Sequence, residues 1–161
     1  MDLTHLHLIT NHIPVMGLMF GILLLFFGMF RKSLELQFAA YMIFIISAFG
    51  AIVAFFTGGA AIDSVEYIYD VSEQAIHSHG DAARITFICI LILAILSLIA
   101  LLFISKNPSR ASGIAQIILL AAAISLGITA YTTYLGGKIR HTEINQKNMN
   151  TDDESEEEIY E

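Results

Sequence analysis

Cysteine is nearly absent from this 161-residue chain, and its scarcity limits both the redox chemistry and the cofactors that are possible. The single cysteine, Cys89, lies inside a long apolar run, so an intrachain disulfide is excluded. The Cys-x-x-Cys-His sequence that attaches haem covalently is also missing. Any haem in this protein must therefore be bound without a covalent link.

Charged residues are scarce as well, at 14% of the chain, whereas 56% of the residues are hydrophobic. Soluble domains carry about 25% charged residues, so this chain has too little polar surface to cover a soluble globule. Its apolar residues stand in long runs, and a helix that crosses a bilayer needs about 20 of them. The composition predicts a membrane protein in contact with lipid, and we expect no nucleic-acid partner.

Four apolar runs predict an all-α, up-down-up-down four-helix bundle in the membrane, with both termini on the same side. The runs cover residues 13–30, 38–57, 85–105 and 114–135. They form one predicted domain, residues 1–141, in which residues 58–84 are a surface loop. The acidic, apolar-poor stretch 142–161 is typical of a disordered tail.

Local signals predict where these helices begin, end and pack. Asn11 is a candidate cap for the first span, with Pro14 in its first turn, and Ser78 is a candidate cap for the third. Glycine pairs at 58–59 and 136–137 are predicted to end the second and fourth spans. Small residues in the first two spans predict close helix packing, since small side chains let helices approach each other in lipid. They are Gly17, Gly21, Gly28, Ser47, Gly50, Ala51 and Ala54.

The histidines are predicted to gather at one face of the membrane, because each flanks the same end of the antiparallel bundle. They are His5, His7, His12, His77, His79 and His141. No histidine lies near Arg31 or Lys106, which mark the opposite end. A single histidine near lipid headgroups is usually only an amphipathic interface residue. The gathering of six at one face is what indicates a shared function.

Orientation follows from the basic residues. The long connection carries only Arg84, whereas the short turns carry Arg31, Lys32, Lys106 and Arg110. Because short basic loops stay in the cytoplasm, the histidine face and both termini are predicted to be extracytoplasmic in a bacterial inner membrane. The chain has no basic leader and no small-residue cleavage site after its first run, so we expect the first span to be retained.

Imidazole is the usual protein ligand of haem iron and a common ligand of other transition metals. His12 and His79 begin two different predicted helices at similar depth, and a four-helix bundle can hold a cofactor between facing helices. These two residues are therefore the predicted axial ligands of haem iron. The predicted supporting residues of the cofactor site are His5, His7, His77 and His141.

Five short motifs resemble those of a family of small four-span bacterial membrane proteins whose name records an unknown function. They are His5-x-His7, residues 11–14 (Asn-His-Ile-Pro), 57–61 (Thr-Gly-Gly-Ala-Ala), 79–83 (His-Gly-Asp-Ala-Ala) and 135–141 (Leu-Gly-Gly-Lys-Ile-Arg-His). The resemblance covers the chain to about His141, and Thr142 stands where the family usually has glycine. It implies a build similar to b-type cytochromes, related domains that accompany cytochrome c modules, and key positions at His12, His79 and His141, with His5 or His7 as a fourth.

The favoured hypothesis is a membrane protein or subunit that binds haem b and takes part in respiratory electron transfer at one face. Its partners would be a quinol, a cytochrome c or other respiratory subunits, and a quinone is a second candidate cofactor. One alternative is a structural subunit of a larger membrane complex without its own cofactor. Another is a transition-metal binding or transport protein, although acidic residues usual in an ion path are missing from all four spans. Whether the chain is an enzyme stays open.

Overall fold

Four long helices dominate the computed structural model, which describes residues 3–66, 73–104 and 106–140. A short first helix precedes them, and the five are α1 (Leu3–Thr10), α2 (His12–Phe30), α3 (Leu34–Glu66), α4 (Glu73–Ile104) and α5 (Ala111–Arg140). Four segments are long and apolar enough to cross a membrane: Leu3–Phe30, Leu34–Ile62, Glu73–Ile104 and Ala111–Ile139. The prediction of an all-α four-helix bundle is confirmed, and these helices support a multi-pass membrane protein.

The four long helices pack in a closed order, α2 on α3, α3 on α4, α4 on α5 and α5 on α2, while α1 lies against α3. The centre of the bundle is filled by Leu18, Phe44, Ile90 and Leu93, which are at most 1% exposed. Large apolar side chains also cover the outside, where Phe30 is 76% exposed. An apolar exterior of this kind suits contact with lipid chains.

Glycines of α2 form the contact surface with α3. A methyl group added at Gly17 would overlap Ser47, and one added at Gly21 would overlap the ring of Phe44. At Gly28 the added carbon would lie 3.0 Å from the backbone nitrogen of Gln37. The predicted packing role is confirmed for these glycines of α2, because a side chain at any of them would overlap or crowd α3.

Proline separates α1 from α2. Pro14 has no N–H, so the carbonyl of Thr10, four residues earlier, loses its helical partner and the ring crowds it. The helix is accordingly interrupted at Asn11, whose backbone N–H still bonds the His7 carbonyl at 3.0 Å. Asn11 occupies the predicted N-cap position of α2, but it has helical backbone angles and its side chain makes no cap bond.

The predicted surface loop, residues 58–84, is wrong over most of its length. Helix α3 continues through Gly58 and Gly59 to Glu66, and α4 begins at Glu73, so only residues 67–72 between them lie outside the described structure. Ser78 is internal to α4 and caps nothing. Glycine costs a helix only about 1 kcal/mol relative to alanine, which a long packed helix absorbs. For the same reason α5 runs through its glycine pair, residues 136–137, to Arg140.

The turn after α2 is short, as predicted. Arg31 ends the helix, and Lys32 takes the left-handed conformation with φ 52°. The N–H groups of Lys32 and Ser33 donate to the carbonyls of Met29 and Gly28, at 3.2 and 2.9 Å. This pair of bonds is the Schellman ending of a helix, which satisfies carbonyls that would otherwise lack partners.

A paired histidine site at one end of the bundle

Among the five histidines that the structure describes, two point inward and three outward. His7 of α1 and His79 of α4 are half-buried, whereas His5, His12 and His77 are exposed. His141 lies outside the described residues. The candidate site is therefore built on His7 and His79, which the sequence predicts as a supporting residue and as a principal ligand.

His7 is held against α3. Its Nδ1 donates to the carbonyl oxygen of Ala54 at 2.8 Å. One turn further along α3, a carbon added at Gly58 would lie 3.5 Å from Cε1 of His7, in ordinary contact with the ring. Thr4, one turn before His7, donates its hydroxyl to the carbonyl of Ala60 at 3.2 Å. These contacts fix α1 on α3 and set the plane of the His7 ring.

His79 is held against α5 in the same manner. Its Nδ1 donates to the carbonyl oxygen of Thr132 at 3.0 Å. The ring lies over Gly136, where an added carbon would be 3.0 Å from Cε1 and 3.2 Å from Nδ1. Both distances are shorter than ordinary van der Waals contact, so the ring occupies space that only glycine leaves open. The glycine therefore serves the histidine and does not end the helix.

The two hydrogen bonds assign the proton on each ring. A carbonyl oxygen can only accept, so Nδ1 carries the hydrogen in both His7 and His79. In the neutral form, Nε2 of each ring then bears the lone pair. The helices that carry the two rings, α1 and α4, both pack against α3. The candidate site thus presents two imidazoles at one end of the bundle, each with Nδ1 bound to backbone and, in the neutral form, with Nε2 unprotonated.

Two buried hydroxyl groups lie near His79. The hydroxyls of Thr86 on α4 and Thr132 on α5 hydrogen-bond each other at 2.8 Å, and both residues are buried. This bond links α4, which carries His79, to Thr132, whose carbonyl accepts the hydrogen bond from the His79 ring. Asn11, four residues after His7, has a buried Oδ1 without a hydrogen-bond partner. The surroundings are polar at the histidine end, with one acceptor still to be satisfied.

The predicted partner of His79 is His12, but the structure leaves the ring of His12 exposed, whereas that of His7 is half-buried. His12 is the first residue of α2, beyond the interruption at Asn11. The backbone acceptors Ala54 and Thr132 were not predicted, because every residue has a carbonyl and the sequence gives no signal for which one accepts. Gly58 and Gly136 were visible in the sequence, where they were interpreted as helix ends.

A conventional metal cluster is absent from the part of the chain that the structure describes, since no three His, Cys, Asp or Glu side chains come close enough to hold an ion together. The fold and site define a four-helix membrane protein with two oriented histidines at one end. No family model, no curated protein and no solved structure matches the chain.

Proposed function

We propose that the bundle binds one haem b without a covalent link, with Nε2 of His7 and Nε2 of His79 as the two axial ligands. The observation that carries this proposal is the matched tethering of the two rings through Nδ1 to backbone carbonyls. Metal-ligating histidines almost always donate their other ring N–H to a carbonyl or carboxylate, which fixes the tautomer and the ring orientation. Two histidines prepared in the same way support a shared ligand.

Features of the residues around the two rings support the proposal. Glycine lies beside each ring, Gly58 at His7 and Gly136 at His79, and its missing side chain lets each imidazole pack close to a neighbouring helix. The ligands come from α1 and α4, which are different helices, as is usual for cofactors in bundles. Apolar helices on all sides would keep the group out of water, and the unsatisfied Oδ1 of Asn11 offers a hydrogen-bond acceptor.

Bound haem would supply a one-electron redox centre. The five described histidines lie towards one end of the bundle, and His141 directly follows α5 in the sequence, so electron passage across the whole bilayer by haem alone is not supported. A role at one face fits better, with electrons exchanged with a quinol in the lipid or with a cytochrome c or other respiratory subunit. The orientation we propose puts this end outside the cytoplasm of a bacterial inner membrane, and a quinone is the second cofactor we would look for.

The direct test is a reduced-minus-oxidised visible spectrum of protein purified in detergent from haem-replete cells. We expect the bands of a six-coordinate b-type haem, lost in His7→Ala and in His79→Ala. His12→Ala is the matched control, because its ring is exposed and its removal disturbs no contact of the pair. Far-ultraviolet circular dichroism of each variant checks that the helices remain. A colourless wild-type protein, or loss of the bands in the His12 variant alone, would contradict the assignment.

The two alternative functions make different predictions. A transition-metal protein would hold zinc, copper or iron without porphyrin, yet a stable tetrahedral site needs four ligands and no three candidate ligands come together among the described residues. Elemental analysis beside the spectrum separates the two. A structural subunit would need a surface for its partner, and the glycines of α2 do not supply it, because they pack against α3 within the chain. Copurification in mild detergent would reveal a partner that uses another surface.

A further inference from the structure

The opposite end of the bundle contains two buried side chains, each with a polar atom that makes no hydrogen bond. Gln37 and Tyr41 lie on α3 near its first turns, and they are 4% and 0% exposed. Residues four apart in a helix share a face, so both side chains enter the bundle interior together. The nearby backbone of α2, at Gly28, lies directly against Gln37. These residues are more than two helical turns from Ala54 and therefore do not belong to the histidine site.

Neither side chain has a partner. Oε1 of Gln37 and the hydroxyl of Tyr41 are two of the three buried side-chain atoms in the described residues that make no hydrogen bond. Other buried hydroxyls behave differently: those of Ser47, Ser97 and Ser125 each donate to a carbonyl of their own helix at 2.8 Å. The aromatic ring keeps the Tyr41 hydroxyl far from its own backbone, so it cannot donate to a carbonyl of its own helix turn. A buried polar group without a partner is unfavourable, and more so in a membrane.

The buried side chains at this end of the bundle are mostly small and apolar. Four buried alanines occupy this end of the bundle, on three different helices, and they are Ala40, Ala100, Ala111 and Ala115. The charged residues at this end, all of which are exposed, are Arg31, Lys32, Glu35, Lys106 and Arg110. An ion at this site would therefore lack a countercharge. The chemistry of the two groups, one acceptor and one hydroxyl, suits a small neutral molecule that both donates and accepts hydrogen bonds.

We propose that Gln37 and Tyr41 bind an ordered water molecule inside the bundle, near the end that carries Arg31 and Lys32. The water donates one hydrogen to Oε1 of Gln37 and bonds the hydroxyl of Tyr41 with another of its valences. Buried waters typically satisfy two to four polar groups that the fold leaves unpaired. This site is independent of haem binding, because it shares no residue with the histidine pair.

Hydroxyl-radical footprinting with an X-ray pulse tests the proposal on the wild-type protein. Radicals form from water itself, so a side chain shielded from solvent is modified only when a water molecule lies beside it. Phe44 is the matched control: it is an aromatic residue on the same helix and is also 0% exposed. We expect Tyr41 to be modified several-fold more than Phe44. Equal, low modification of both rings would overturn the proposal.

Two variants connect the signal to the pair. Gln37→Leu removes one of the two water ligands, and we expect modification of Tyr41 to fall towards the level of Phe44. Tyr41→Phe removes the other, and we expect a lower melting temperature in detergent, because the water and Gln37 lose a partner. If the hydroxyl is instead unpaired, Tyr41→Phe relieves its desolvation and the melting temperature rises. An unchanged or higher melting temperature, or undiminished modification in Gln37→Leu, would contradict the proposal.

Discussion

Gly136→Ala is the sharpest perturbation of the histidine site, since it adds one carbon beside one ring. That carbon would lie 3.0 Å from Cε1 and 3.2 Å from Nδ1 of His79. Ordinary contact begins near 3.5 Å, so the ring must move by a few tenths of an ångström. The ring is fixed by a 3.0 Å bond from Nδ1 to the Thr132 carbonyl, and the shift weakens that bond and turns Nε2 away from its present direction.

The expected cost falls on cofactor binding and spares the helix. Loss of a bond that orients a metal-ligating histidine typically lowers affinity 10- to 100-fold, about 1.4 to 2.8 kcal/mol. The alanine itself favours the helix by about 1 kcal/mol, because the described glycines have no positive φ. We therefore expect weaker haem binding by Gly136→Ala in an absorbance titration, together with apoprotein stability that is unchanged or slightly higher.

Gly137→Ala is the matched control. It follows Gly136 in the same helix, but an added carbon there meets nothing within 4 Å. We expect it to raise the melting temperature through helix propensity alone and to leave the haem titration unchanged. If the two variants bind haem equally well, the ring of His79 does not set the affinity and the proposed ligation is refuted.

Three further changes test the fold and the site. Gly21→Val should lower stability by about 1 to 3 kcal/mol, since the new side chain overlaps the ring of Phe44; a thermal melt that matches wild type would show that α2 and α3 do not pack this closely. Thr86→Val removes the hydroxyl that bonds Thr132 at 2.8 Å and should lower the free energy of unfolding by about 1 kcal/mol. We also expect weaker haem binding in the titration. If stability and haem affinity are both unchanged, this hydrogen bond does not support the site. Lys32→Gly should raise stability by up to about 1 kcal/mol, because the left-handed conformation at φ 52° strains any residue with a Cβ, and a lower melting temperature would contradict that assignment.

The four spans could be predicted from the sequence because lipid imposes a simple rule: a long apolar run must satisfy its own backbone and therefore becomes a helix. The helix ends could not be predicted as well. Gly58 and Gly136 are typical of helix ends in soluble proteins, yet here each lies beside a histidine ring and the helix continues past it. From the sequence alone, a glycine that allows close packing cannot be distinguished from a glycine that ends a helix.

The site was predicted in part. His79 and the end of the bundle where it lies could be inferred from the position of the histidines relative to the apolar runs. The choice between His7 and His12 depended on how α1 enters the bundle, which is set by the interruption at Asn11 and by contacts with α3. Such contacts join residues about fifty positions apart, and no periodicity within α1 reveals them.

The interruption before Pro14 has a thermodynamic consequence for any cofactor that His7 and His79 share. His7 is carried by the eight-residue helix α1, which is held on α3 by hydrogen bonds from Thr4 to Ala60 and from His7 to Ala54. Docking of α1 on α3 and binding of the cofactor are then coupled equilibria, and coupling is reciprocal. A substitution that weakens the docking of α1 must lower the affinity for the cofactor. A bound cofactor must stabilise the docked α1 by the same free energy.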